Sequence, residues 1–440
     1  MKLGVISLGC DKATVDSERL VGELVGHGAV VTTDLPHADV ILVNTCGFID
    51  AAKQESIDAI LGAAKLKQEG TVKAVVAVGC LVQRYKKELE QEIPEVDGLF
   101  GFSDLHHLIP ELAKKGLIDD PVAQHPGVRQ FLGDTPHVRY LKISEGCDHT
   151  CAFCAIPLMR GKHRSEPLER LVREAQTLEA QGAREINLVA QDLGHWGRDL
   201  GPKGPKLPEL LTALLAETGV PWYRLLYVYS AGITDRLVEL IAANARIVPY
   251  IDMPIQHASD PMLERMRRPE RQGTLREKLS WLRATIPDLA IRTTCLVGFP
   301  GETDEDFRTL LAFLEEAQFD RLGAFAYSPQ EGTRGMQYPD DVPDAVKRDR
   351  LEELLEVQRA ISAERLQRFV GREVPVLVDR VADPLDEAHG ATHVARAPWQ
   401  ADDVDGVTYL GNGGWASVGS FVRARVTDAE DYDFRAVALT

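Results

Sequence analysis

Short apolar runs alternate with amphipathic stretches through the first three quarters of the chain. Residues 3–8, 40–44 and 74–78 are apolar, β-rich runs of the buried-strand type. The intervening stretches 17–25 and 51–67 carry apolar residues at helical spacing. Strand followed by helix, repeated, predicts an open, mostly parallel α/β sheet over residues 1–130. Residues 118–137, with Pro121, Pro126, Gly127 and Pro136, read as a linker. Six strand–helix units follow, with strands at 138–143, 185–190, 223–228, 249–253, 290–297 and 321–327. In the first of them Leu168, Leu171, Val172, Ala175 and Leu178 form one apolar stripe, with Ser165 placed to cap the helix and Gly182 to end it. Six such units predict a partial (β/α)6 barrel, open on one side, over residues 138–371. The last part of that region, 347–368, is a charged amphipathic helix closed by Gly371, whose mixed charges read as a solvated face. From Glu373 the pattern changes to short strands at 374–378, 392–397, 407–410, 421–426 and 434–439, with a turn at Asn412-Gly413-Gly414. Residues 372–440 therefore predict a small β-barrel.

The chemistry is concentrated in seven cysteines. Cys147, Cys151 and Cys154 form a C-x3-C-x2-C array with Phe153 before the last thiol. Three close thiolates suit an iron–sulfur cluster, and three ligands leave one iron of a four-iron cluster open to a small molecule. Tetrahedral zinc, with His149 or His163 as fourth ligand, is the alternative. Cys10, Cys46 and Cys80 each follow one of the first three strands and each adjoins a glycine. Ligands gather at the carboxyl ends of strands in such sheets, so these three can meet at one edge and hold a second cluster. Ordinary burial is the competing reading for each taken singly. Cys295 lies inside an apolar strand with no second thiol near it in sequence and reads as a buried structural cysteine.

The C-x3-C-x2-C array resembles the signature of the radical S-adenosylmethionine (SAM) superfamily. The segments LGCDKATVDSE, NTCGFIDAAKQESIDAI and VGCLVQRY resemble the N-terminal domain of the methylthiotransferase family, and the resemblance extends over nearly the whole chain. The match departs at Asp11 and Ala13, where the family often has Pro and Asn. The resemblance implies a 4Fe–4S cluster on Cys147, Cys151 and Cys154 that binds and cleaves SAM. It also implies an auxiliary 4Fe–4S cluster on Cys10, Cys46 and Cys80 that delivers sulfur, and a C-terminal TRAM domain. SAM contacts are expected from Phe153, Gln191, Thr294 and Gly298, the last in a Gly298-Phe299-Pro300-Gly301-Glu302 turn. Asp192 can equally serve as a cap. Ser144-Glu145-Gly146-Cys147, Gln191-Asp192, Tyr227-Val228-Tyr229, Gln256-His257-Ala258-Ser259 and Asp320-Arg321-Leu322-Gly323 resemble the branch that modifies an aspartate β-carbon of ribosomal protein S12. The matching stretches of the tRNA-adenosine branch usually read Gln-Asn and Gln-Ser-Gly-Ser. The implied product is 3-methylthioaspartate, and the implied partners are S12, free or on the small ribosomal subunit, and a one-electron donor such as flavodoxin or ferredoxin. The competing functions are tRNA methylthiotransfer and a non-catalytic zinc or RNA-binding role.

Charge bears on that choice. The 440 residues carry a formal charge of −17, which argues against gripping nucleic acid through the overall field. From Arg372 onward there are six arginines and no lysine against twelve carboxylates. An RNA-binding barrel would show a basic footprint; an acidic one suits a basic protein, or serves solubility alone. No apolar run approaches the ~18 residues that span a bilayer, so no membrane partner is expected. The N-terminal MKLGVISLGC reads as a strand ending at a cysteine rather than a lipoprotein signal, and a cytoplasmic location is expected. Two three-thiol sets make one prediction. Anaerobic reconstitution should yield about eight irons per chain, falling to about four in a Cys10→Ala/Cys46→Ala/Cys80→Ala variant, read by iron and sulfide assay.

Overall fold

The computed structural model describes residues 1–70, 72–118 and 128–439. Three sheets follow one another along the chain. The first is five-stranded and entirely parallel: β1 (Lys2–Ser7), β2 (Val30–Thr32), β3 (Val40–Thr45), β4 (Ala74–Gly79) and β5 (Gly98–Phe100). Their order is β2-β1-β3-β4-β5, so the chain reverses direction of growth between β1 and β3. In doubly wound sheets that switch point opens a crevice at the strands' carboxyl ends. β3 and β4 are buried at every position, which is why they read as unbroken apolar runs. β2 and β5, three residues each, lie at the sheet edges and are too short to leave a pattern in the sequence.

The central sheet is also parallel, β6 (Val138–Lys142), β9 (Glu185–Val189), β10 (Trp222–Leu225), β11 (Ile247–Asp252), β12 (Ala290–Val297) and β13 (Arg321–Ala326), in that order from edge to edge. Between β6 and β9, a two-stranded ribbon, β7 (Ser144–Glu145) with β8 (Arg164–Ser165), closes the base of a long loop. Ser165 therefore does not cap the next helix. Helix Leu168–Ala180 starts after Pro167 without a side-chain cap, while the Ser165 hydroxyl donates to Asp199 at 2.6 Å and accepts from the Gly197 amide.

Strand alternation divides the central sheet's two faces. Leu141, Leu188, Leu225, Ile251 and Ile291 pack beneath the surrounding helices. Val138, Trp222, Val248, Tyr250 and Ala290 join a second core with Val376, Val378 and Phe434 of the C-terminal barrel. That barrel is closed, in the order β14 (Glu373–Val381), β15 (His393–Arg396), β16 (Thr408–Gly411), β18 (Phe434–Ala438) and β17 (Phe421–Ala429). The connecting helix Asp344–Leu366 is less solvated than its charges predict. Lys347 and Arg350 are buried, and Arg350 pairs with Glu302 at 2.6 Å and Asp304 at 2.7 Å. Of the expected linker, Pro121, Pro126 and Gly127 lie outside the described residues. The remainder packs rather than floats: Arg129 is buried and pairs with Glu18 at 2.6 Å and Glu174 at 3.1 Å.

The barrel is locked onto the central sheet by buried charge. Glu185, fully buried at the start of β9, accepts from Arg224 and Arg396, each at 2.7 Å. Arg396 also pairs with Asp379 at 2.8 Å, and His137 meets the same carboxylate at 2.9 Å. Removing Glu185 leaves buried Arg224 without its carboxylate and takes from Arg396 one of its partners, Asp379 remaining. Glu185→Ala is therefore expected to cost about 3–5 kcal/mol, read by denaturant unfolding, and to expose the barrel junction to limited proteolysis.

Candidate active site between two cysteine sets

The loop between β7 and β8 carries Cys147, Cys151 and Cys154. It is tied down at several points: the Cys147 amide donates to Gly161, the Ala152 amide to Met266, and the Gly335 amide to Ala152. Gly146 has φ +77°, and a Cβ there would lie 2.1 Å from the Lys162 carbonyl oxygen, so the turn into the cysteines requires glycine. Phe153, half-buried, packs against the cluster of Ala152, Met262, Met266, Leu296 and Phe299. The three thiols share one electrostatic environment. Burial pushes Cys147 up to about 11 and Cys154 up to about 12, and in both the neighbouring Cys151 adds to the rise. A cation among them would favour the thiolate forms of Cys147 and Cys154.

The other three cysteines are gathered at the switch point of the first sheet. Cys10 precedes helix Asp11–Gly26, Cys46 follows β3, and Cys80 opens helix Cys80–Glu92. Two of the thiols therefore lie at helix N-termini, which favour negative charge. A Cβ on Gly9 would sit 3.7 Å from the Cys46 sulfur, which shows how closely the first loop approaches the second. The Cys46 amide donates to Ser56, whose hydroxyl donates back to the Cys46 carbonyl. Burial, with the charges of Cys10 and Cys46, raises Cys80 to about 11 against the pull of Arg160.

Arg160 links the helix after the central thiol loop to Cys80 of the first set. It ends the short helix Ile156–Arg160, just beyond Cys154, and is almost wholly buried. One nitrogen lies 2.7 Å from Asp16 and 3.1 Å from Glu145; the other donates to the Cys80 sulfur at 3.5 Å. Lys142 pairs with the same Asp16 and, at 2.7 Å, with Glu145. Gln191 donates to Glu145 at 3.1 Å, and its own buried carbonyl oxygen has no partner among the described residues. Burial alone would raise Glu145, but Lys142 and Arg160 outweigh it and hold the carboxyl at about 2.

The remaining expected residues occupy other parts of the central sheet. Thr294 lies on β12, where its carbonyl accepts from the Gln256 amide at 2.8 Å. Gly298 leaves β12 with φ +71°; its amide donates to Glu302 at 2.7 Å, and a Cβ would collide with Lys347. Asp192 acts as the cap: it accepts from the Gly194 amide at 2.9 Å and binds His149 at 2.8 Å. The two imidazoles offered as fourth zinc ligands are thereby engaged elsewhere, His149 with Asp192 and His163 with Ser165 at 3.1 Å. They line a cavity of about 420 Å³ with His195, Arg198, Asp148 and Asp199, beside the thiol loop. Cys295 is fully buried. Arg160, Lys142 and Asp16 carried no signal in the sequence, because charged residues of their kind are abundant and only the fold brings them together.

Parallel sheets, a six-stranded open barrel and a C-x3-C-x2-C loop at its first strand define a radical SAM protein with an added N-terminal α/β unit and C-terminal barrel. The family models agree in extent: Uncharacterized protein family UPF0004 at residues 2–101, the Radical SAM superfamily at 141–314 and the TRAM domain at 370–439. Among solved structures, the radical SAM methyltransferase TsrM from Kitasatospora setae is similar in fold. It gives a TM-score of 0.56 at 14% identity, over 76% of this chain and 77% of that one. The radical enzyme OxsB gives 0.52 at 11% identity, over 82% of this chain and 56% of that one. Far higher identity is found with proteins named ribosomal protein uS12 methylthiotransferase RimO. That of Geobacter sulfurreducens is 45% identical over 98% of this chain and 97% of its own length. That of Aquifex aeolicus is 42% identical over 98% and 96%. The chain belongs to the ribosomal protein uS12 methylthiotransferase family.

The ion network carries a pH signature. A carboxyl held at about 2 contributes fully above its unfolded value of 4.5, and its contribution is lost as the pH falls toward about 2. Arg160→Met removes one of the two cations. It is expected to lose about 3 kcal/mol near neutral pH and to start acid unfolding at a higher pH than the unaltered protein, followed by circular dichroism.

Proposed function

We propose that this protein is a radical SAM methylthiotransferase that adds a methylthio group to the β-carbon of an aspartate of ribosomal protein uS12. The observation that carries the reading is Arg160, whose single guanidinium touches Cys80 and ends the helix that follows Cys147, Cys151 and Cys154. Cys80 thus lies beside the helix that leaves the central thiol loop, which supports one space shared by the two thiol sets, as sulfur insertion into a carbon that has just lost hydrogen demands.

Cys147, Cys151 and Cys154 would hold one 4Fe–4S cluster and Cys10, Cys46 and Cys80 the other, each three-thiol set leaving one iron open. When bound, the clusters and SAM supply the radical that removes hydrogen and the sulfur and methyl that replace it. The chain's own contribution is placement and charge. Gly146 sets the turn into the central thiols, Arg268 lies 3.8 Å from the Cys151 sulfur, and Arg160 donates to the Cys80 sulfur. Gln191, with its free buried oxygen beside Glu145, and Phe153 on its apolar shelf are the SAM contacts this reading assigns, with Thr294 and Gly298 along β12. The Gly298 amide, already committed to Glu302, would contribute shape rather than a hydrogen bond.

Three domains serve this chemistry: 1–130 for the auxiliary cluster, 138–371 for SAM and the connecting helix, and 372–440 for the barrel. No helix of the described residues is long and apolar enough to cross a membrane. A cytoplasmic location, and flavodoxin or ferredoxin as electron donor, follow from a ribosomal substrate and reducible clusters. The −17 charge favours a basic protein over tRNA. Anaerobic incubation with SAM, a reductant and purified uS12 is expected to place methylthio mass on one aspartate. Modification of tRNA and not of uS12, by mass spectrometry of both, would overturn the assignment.

A further inference from the structure

Lys12 stands two residues after Cys10 and is only 8% exposed. Its ammonium lies 3.3 Å from the centroid of the Tyr227 ring, and no carboxylate of the described residues pairs with it. The acidic neighbours are taken. Asp11 accepts from the Tyr227 hydroxyl at 3.4 Å, and Asp16, one helical turn on, is held by Lys142 and Arg160. An ammonium out of water without a counter-ion is costly, and an aromatic face offsets only part of that cost.

The arrangement around it is built. Tyr227 follows β10 in the left-handed region, φ +65°, a rare conformation for a bulky residue. It is held there by its amide's bond to Asp252 at 3.2 Å and by its carbonyl's acceptance from Leu193 at 3.0 Å. Asp252 in turn pairs with Arg292. The strained tyrosine from the central sheet thus covers a lysine from the first sheet. The lysine sits in the first turn of a sixteen-residue helix whose N-terminus adds to the positive potential.

We infer that Lys12 is a substrate-positioning residue, its ammonium receiving the side-chain carboxylate of the aspartate that is modified. The inference rests on the methylthiotransferase reading and deepens it. The carbon that gains sulfur is bonded directly to that carboxyl group, so a cation beside Cys10 fixes the reacting C–H next to the sulfur-bearing thiol set. A neutral asparagine at the same place would leave the charge unmatched, which makes Lys12 a specificity device as well.

The test uses reconstituted full-length enzyme, unaltered and as Lys12→Met and Lys12→Arg, with purified uS12 and a uS12 variant carrying asparagine at the modified aspartate. The unaltered enzyme should bind the aspartate form about 10- to 100-fold more tightly than the asparagine form. Lys12→Met should bind both forms alike while keeping the full iron count, and Lys12→Arg should recover part of the preference. Because an unmatched buried charge is removed, Lys12→Met should also melt no lower than the unaltered protein. Preference retained in Lys12→Met would overturn the inference. So would a lower melting temperature, or loss of about four irons, which would make Lys12 a structural residue or a counter-ion of the auxiliary cluster. Absence of methylthio transfer to uS12 by the unaltered enzyme is a separate result, and it would fell the functional reading itself.

Discussion

One guanidinium holds the active region in register. Arg160 reaches the carboxylates of Asp16 and Glu145 with one nitrogen and the sulfur of Cys80 with the other. Asp16 belongs to the first helix of the N-terminal unit, Glu145 to the strand leading into the central thiol loop, and Cys80 to the start of the helix after β4. A planar, permanently charged group with several donors can satisfy these directions together where a lysine could not. Burial strengthens the attraction and also makes any missing partner costly, so the network specifies position as well as contributing energy. Arg19 to Glu174 at 2.6 Å and Lys142 to Asp16 add further ties between the two units that carry the thiol sets.

The opposite end of the central sheet is fixed by the same kind of interaction with a different purpose. Glu185 draws Arg224 of the sheet and Arg396 of the barrel to one carboxylate, and Trp222 meets Phe421 edge to face at 4.8 Å. The C-terminal barrel thereby covers apolar residues of a face that an open six-stranded sheet would otherwise leave wet. Its acidic outer charge stays available to a basic partner, while the strand ends that carry the thiol loop are left to chemistry.

Much of this architecture is legible in the sequence. The parallel sheets showed because strands buried on both faces must be apolar throughout, as β3 and β4 are. The two cysteine sets showed because thiols are rare and their spacing is constrained by the metal chemistry they suit. Ser165 misled because a serine before an apolar stripe has the local grammar of a cap, yet its hydroxyl was claimed by Asp199, thirty-four residues away. The helix at 344–366 misled for a related reason: charge predicts solvation only where no distant carboxylate waits, and Glu302 and Asp304 receive Arg350.

The sequence by itself determined element type, sheet class, domain order and the six thiols, since these depend on local periodicity and on residues with few other uses. Only the tertiary structure decided which charges are shared. Arg160 and Cys80 are eighty positions apart, Tyr227 and Lys12 more than two hundred, and no periodicity links them. Their energies arise from low-dielectric proximity, a property of three-dimensional packing that leaves no mark on either residue's neighbours in the chain.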